Sequence, residues 1–183
     1  MIYLIGGAPR AGKSILGQRL CTILNVGWVS TDLLMDLLRV QNAAGIKMKW
    51  DAAPEAITAN AEWFFPYLER FMWGVSSLAD HYVIEGVDFL PAQVAQLSPK
   101  YTIRTVFLGC SRLKLEGFTQ FPGRSQGYGS LPEVLRRQIV EDVPHWSEFI
   151  RQEADRFGYV YVDIASNFSQ RLTEAEMVLT TGV

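Results

Sequence analysis

Residues 7–14 read Gly7-Ala8-Pro9-Arg10-Ala11-Gly12-Lys13-Ser14, two glycines with four residues between them, followed at once by a lysine and a hydroxyl residue. Glycine lets the backbone curl closely around an anion, so that successive N–H groups face its oxygens. A helix starting at the lysine adds the positive end of its dipole. Lys13 is then placed to hold the outer phosphates of a nucleotide triphosphate. Ser14 offers an oxygen to magnesium, a hard cation that prefers oxygen ligands. The candidate nucleotide-binding stretch is thus Gly7 to Ser14, with Ile15 directly after it.

Such a loop works only between a buried strand and a helix. Ile2, Tyr3, Leu4 and Ile5 form the apolar run of a central strand covered on both faces. Leu16, Leu20, Ile23 and Leu24 follow at the spacing of an amphipathic helix stripe. Strand and helix patterns then alternate, which predicts an α/β fold with a parallel sheet and helices on both faces. Further strands are expected at 27–30, 82–85, 101–108 and 159–162. A long helix or helix pair is expected over 54–79, with a kink or break before Pro66. Ser130-Leu131-Pro132-Glu133 has the capping-box pattern of a helix start, and Pro144 should bend or divide that helix. Arg104, in the middle of the fourth strand, needs solvent or a carboxylate within reach.

In an open parallel sheet, ligands gather outside the carboxyl ends of the strands. By that rule Asp32, Glu85, Asp88, Ser111 and Arg112 share one edge with the glycine-bearing loop. Asp32 has two readings: a group that orients or deprotonates an acceptor hydroxyl, or an acid at a helix start, where negative charge is favoured. Glu85 suits the acid that organises magnesium, against the alternative of a strand-terminal surface carboxylate. Asp88 reads as a loop or cap residue. Residues 111–130 are rich in glycine and polar side chains and read as a mobile loop. Arg112 and Arg124 on it are permanently charged planar donors that could neutralise a transferring phosphoryl group, or belong to a solvated basic face. Arg136 and Arg137 are adjacent on a helix, so at most one points inward. Arg10 is expected to point outward.

At 183 residues, with 49% apolar and 20% charged residues and a net charge of −2, the chain suits one soluble domain. No broad basic footprint for nucleic acid is indicated. A strand beginning at residue 2, and the lack of an apolar run long enough for a bilayer, point to a cytoplasmic protein without a leader. Cys21 and Cys110 read as small buried hydrophobes, and His81 and His145 as surface or capping residues.

Taken together, Gly7 to Ser14, the strand-end Asp32, Glu85-Gly86 and a lid-like stretch with Arg112 and Arg124 resemble the P-loop small-molecule kinases, the group of nucleoside monophosphate, shikimate and adenylylsulfate kinases. Val29-Ser30-Thr31-Asp32 and Val83-Ile84-Glu85-Gly86-Val87 look most like 2-phosphoglycerate kinase and zeta-toxin-like kinases. The resemblance implies a five-stranded parallel sheet in the order 2-3-1-4-5, ATP with Mg2+, and transfer of the terminal phosphoryl to a small acceptor. On that pattern 1–183 is one domain, with an acceptor-binding helical segment at 42–80 and a lid at 111–130; residues 165–167 flank the base. Residues 42–79 carry no arginine signature of a known acceptor apart from Arg70. Two alternatives stay open: a nucleotide-binding regulatory or interaction module without an acceptor, and a 5′-hydroxyl nucleic-acid kinase, which would bind oligonucleotides in a salt-sensitive way.

Overall fold

The computed structural model describes residues 1–41, 51–120 and 131–182. Five parallel strands make one sheet: β1 (Ile2–Gly7), β2 (Gly27–Ser30), β3 (Tyr82–Glu85), β4 (Ile103–Gly109) and β5 (Tyr161–Asp163), in the order β2-β3-β1-β4-β5. This is the expected fold class. The central strand β1 is buried along its whole length, paired with β3 from Ile2↔Tyr82 and with β4 from Ile2↔Ile103. Its alternate residues feed two cores. Ile2 and Leu4 meet Ile84 and Phe107 under α2 (Thr31–Gln41), α3 (Pro54–Leu78), α4 (Pro91–Leu97) and much of α6 (Glu133–Phe157). Tyr3 and Ile5 meet Val83, Val106 and Leu108 under α1 (Lys13–Leu24) and α7 (Phe168–Thr180), with Phe118 of the one-turn α5 (Gly117–Gln120) in the same core.

Both prolines expected to kink or divide helices lie inside continuous ones, Pro66 in α3 and Pro144 in α6, so neither divides its helix. The buried stripe of α3, from Ile57 through Phe64 and Leu68 to Val75, holds the helix on the sheet on both sides of Pro66. Packing along a whole face outweighs the single backbone bond that proline removes. The N-cap of α6 is Pro132, with no side-chain cap, so the capping-box expectation does not hold at this position; Ser130 itself lies outside the described residues.

The last two strands begin later than the apolar patterns suggest. Tyr101 is still tied to the end of α4, its N–H donating to the Leu97 carbonyl, and β4 begins at Ile103. Tyr159 likewise donates to the Ala154 carbonyl, around the left-handed Gly158 that ends α6, and β5 begins at Tyr161. Arg104 finds neither a carboxylate nor open solvent alone. Its guanidinium donates to the carbonyls of Leu179 (2.9 Å) and Thr181 (2.7 Å), satisfying the carbonyl end of α7, where a cation is favoured. No helix among the described residues is long and apolar enough to cross a membrane.

Candidate active site

The phosphate loop grows directly out of β1. Gly7 has φ 133°, and a Cβ there would lie 2.0 Å from the Leu108 carbonyl oxygen. Only glycine fits. The next residue anchors the loop to β4 through Ala8 N–H to Leu108 O at 2.9 Å. Gly12, also left-handed at φ 82°, turns the chain into α1, and its carbonyl accepts from the amides of Ile15 and Leu16. Lys13 opens the helix. Its side chain is buried and folds back into the loop, with Nζ donating to the Ala8 carbonyl at 2.7 Å. Burial lowers the Lys13 pKa, while the charges of Glu85, Asp32 and Asp88 oppose that shift. A phosphate in the loop would add opposite charge and favour the ammonium form.

Ser14 reaches across to the end of β3, where its hydroxyl donates to Glu85 Oε1 at 3.0 Å. Glu85 is almost fully buried, and burial raises its pKa against the lowering effects of Lys13, Ser30 and Ser14. Their oxygens are hard donors of the kind magnesium accepts, so the pair could hold the ion while it keeps most of its waters. With Gly7 and Gly12 leaving a close-approach loop beside them, the residues present fit a magnesium nucleotide.

Asp32 lies in the first turn of α2, exposed, where its charge bears on Lys13, Glu85 and Asp88. It is therefore both a helix-start acid and a member of the strand-end cluster. Asp88 lies in the bend between β3 and α4, as expected of a loop residue, but it is buried there and accepts a hydrogen bond from the Thr31 hydroxyl. Burial pushes its carboxyl up to about 6, the Thr31 bond opposes this, and Asp32 adds to it. Gly86 makes the arrangement possible, because a Cβ there would fall 1.7 Å from Thr31 Oγ1. The strand pattern ends at Glu85, so the sequence carries no period that shows where Asp88 turns; the Glu-Gly-x-Asp spacing and the buried Thr31 are the only traces of it.

The arginines divide. Arg112 is exposed on the segment leaving β4, outside the buried cluster. Arg124 lies outside the described residues. Arg137 is exposed and paired with Glu133, whereas Arg136 is half-buried with its Nε shielded from solvent, so Arg136 is the inward one of the pair. Arg10 does not point outward: it bends over the loop, donating to the Gly117 carbonyl at 3.2 Å, with its guanidinium 4.6 Å from the centre of the Phe118 ring. The segment carrying Arg112 is tied to β5 through Ser111, whose N–H donates to Asp163 Oδ1 at 3.0 Å. Of the cysteines, Cys110 is buried as expected and Cys21 only partly so.

The fold is shared with solved structures. A gluconokinase from Sinorhizobium meliloti 1021 aligns with a TM-score of 0.50 at 16% identity, over 97% of this chain and 90% of that one. The fold is that of such kinases. A shikimate kinase from Acinetobacter baumannii, solved with shikimate, aligns with a TM-score of 0.50 at 18% identity, over 100% of this chain and 94% of that one. No protein-family model matches the sequence, and no curated protein matches it either.

Proposed function

We propose that this protein is a P-loop kinase, an ATP- and Mg2+-dependent phosphotransferase that moves the terminal phosphoryl group to a hydroxyl or phosphate of a small molecule. The observation that carries the reading is the constellation of buried Lys13 and Glu85 with half-buried Ser14, assembled at the carboxyl end of the sheet by the loop and β3. Residues 7–15 would cradle the nucleotide phosphates, with Lys13 on the outer ones, and Ser14 and Glu85 would hold the metal. The bound magnesium nucleotide supplies the electrophilic phosphoryl group and part of its charge neutralisation.

What the chain contributes is position and field. Asp32, exposed at the mouth of the cluster, would orient the acceptor hydroxyl and take its proton. Arg112 and Arg124 would come from the lid segment 111–130 to meet the developing charge, and residues 42–80 would form the acceptor side. The motif pattern favours relatives of 2-phosphoglycerate and zeta-toxin-like kinases, with a small hydroxylated or phosphorylated acceptor and ATP as donor. The setting is cytoplasmic, with neither membrane nor nucleic acid as partner.

A panel of hydroxylated and phosphorylated metabolites, assayed for acceptor-dependent ADP release, tests the proposal. Stimulation by one chemical class is the expected result. Tight nucleotide binding with no stimulation by any acceptor would identify a binding module instead.

A further inference from the structure

Arg10 occupies an unusual place for a long side chain. It sits in the middle of the phosphate loop with φ 63°, a left-handed conformation that glycine adopts freely and arginine does not. Its side chain spans to the Gly117 carbonyl, 107 positions further along the chain. The far end of that contact is a fixed point. Phe118 is fully buried and packs with the cluster that contains Ile139, Val143 and Leu172. The turn around it is hydrogen bonded, Gly117 N–H to Lys114 O at 3.0 Å and Phe118 N–H to Leu115 O at 3.1 Å. A planar cation over an aromatic face, with a carbonyl bond at its edge, is a geometry that lysine or glycine cannot reproduce.

We propose that Arg10 is a positioning residue that clasps the phosphate loop to the turn at Gly117 and Phe118, so that nucleotide binding in the loop and ordering of that turn strengthen each other. The clasp holds the loop in its left-handed, anion-cradling shape before any ligand arrives, which removes part of the ordering cost from binding. In return, phosphates that rigidify the loop fix the guanidinium and, through it, the turn after β4. Linkage requires the effect to be reciprocal. The inference rests on the proposed nucleotide site.

The experiment is amide hydrogen exchange on the full chain with and without Mg-ADP, on wild type, Arg10→Gly and Phe118→Leu, with Kd measured by calorimetry. Arg10→Gly relaxes the backbone at φ 63° and so keeps the fold, while Phe118→Leu cuts the same clasp from its other end. In wild type, ADP should slow exchange both in residues 7–14 and at the Gly117 and Phe118 amides. In each variant, protection of the loop should remain, protection of the turn should be lost, and Kd should rise by about 5-fold or more. The double variant should bind no more weakly than the worse single one. Turn protection in Arg10→Gly equal to wild type, or loop protection without turn protection in wild type, would overturn the clasp. Wild type that shows no ADP protection anywhere would overturn the nucleotide site itself, and the clasp with it.

Discussion

Ser14 and Glu85 lie 71 positions apart in the chain and meet in a 3.0 Å hydrogen bond, joining the first turn of α1 to the last residue of β3. Because burial already disfavours the ionised carboxyl, Glu85→Gln should fold at least as stably as wild type, with the Ser14 hydroxyl still accepted by the amide oxygen. Its metal requirement should change sharply. The magnesium concentration for half-maximal turnover should rise by about tenfold or more. An unchanged magnesium dependence would remove Glu85 from the metal site.

Asp88 makes a pH prediction. Its carboxyl titrates near 6 in the folded chain, against an ordinary value of 3.8. Between those values the folded state holds a proton that the unfolded state has released, so stability at this site is present at low pH and is lost as pH rises through about 6. Relative to wild type, Asp88→Asn should gain stability on going from about pH 4 to about pH 7, by on the order of 2 kcal/mol, read from urea midpoints. A stability difference that stays flat with pH would contradict the burial of an ionisable Asp88.

Gly86→Ala tests how Thr31 is held. An added Cβ would meet Thr31 Oγ1 at 1.7 Å and Thr31 Cβ at 2.7 Å, so one backbone has to shift. A loss of about 1–3 kcal/mol is expected. Thr31→Ala removes the nearest atom, so in the double variant the two losses should be markedly less than additive by denaturant titration. Simple additivity would mean that β3 and α2 do not share this contact.

The phosphate loop and the strand count were legible because each rests on local chemistry: Gly7 admits no other residue, and Ile2 to Ile5 form the apolar run of a buried strand, whereas the strand order came only with the family resemblance. Glu85 was legible for the same reason, as a charged residue ending an apolar run. Asp88 and Arg10 were not. The role of Asp88 depends on Thr31, and that of Arg10 on Phe118, partners that only the folded chain brings near. Of the two outcomes open at Pro66 and at Pro144, the division of the helix does not occur, because the buried faces of α3 and α6 hold each helix continuous by packing.

Arg104→Met keeps the stem of the side chain and removes the donors to Leu179 and Thr181. The last turn of α7 should fray, with global stability lower by about 1–2 kcal/mol. Hydrogen exchange confined to residues near 177–181 should accelerate most. If exchange rises evenly over the whole chain, Arg104 does not act as the cap of α7.

Under the proposed function, a phosphoryl group leaves the nucleotide for an acceptor under the control of Lys13 and Asp32. With terminally labelled ATP, magnesium and the acceptor found by the metabolite panel, label should pass to the acceptor in wild type. It should fail to do so in Lys13→Ala, which stays folded by circular dichroism but no longer holds the phosphates. In Asp32→Asn transfer should fall by about 100-fold or more with ADP affinity retained. Label that appears only in inorganic phosphate, or transfer by Lys13→Ala at the wild-type rate, would mean that the protein is not a kinase working through Lys13.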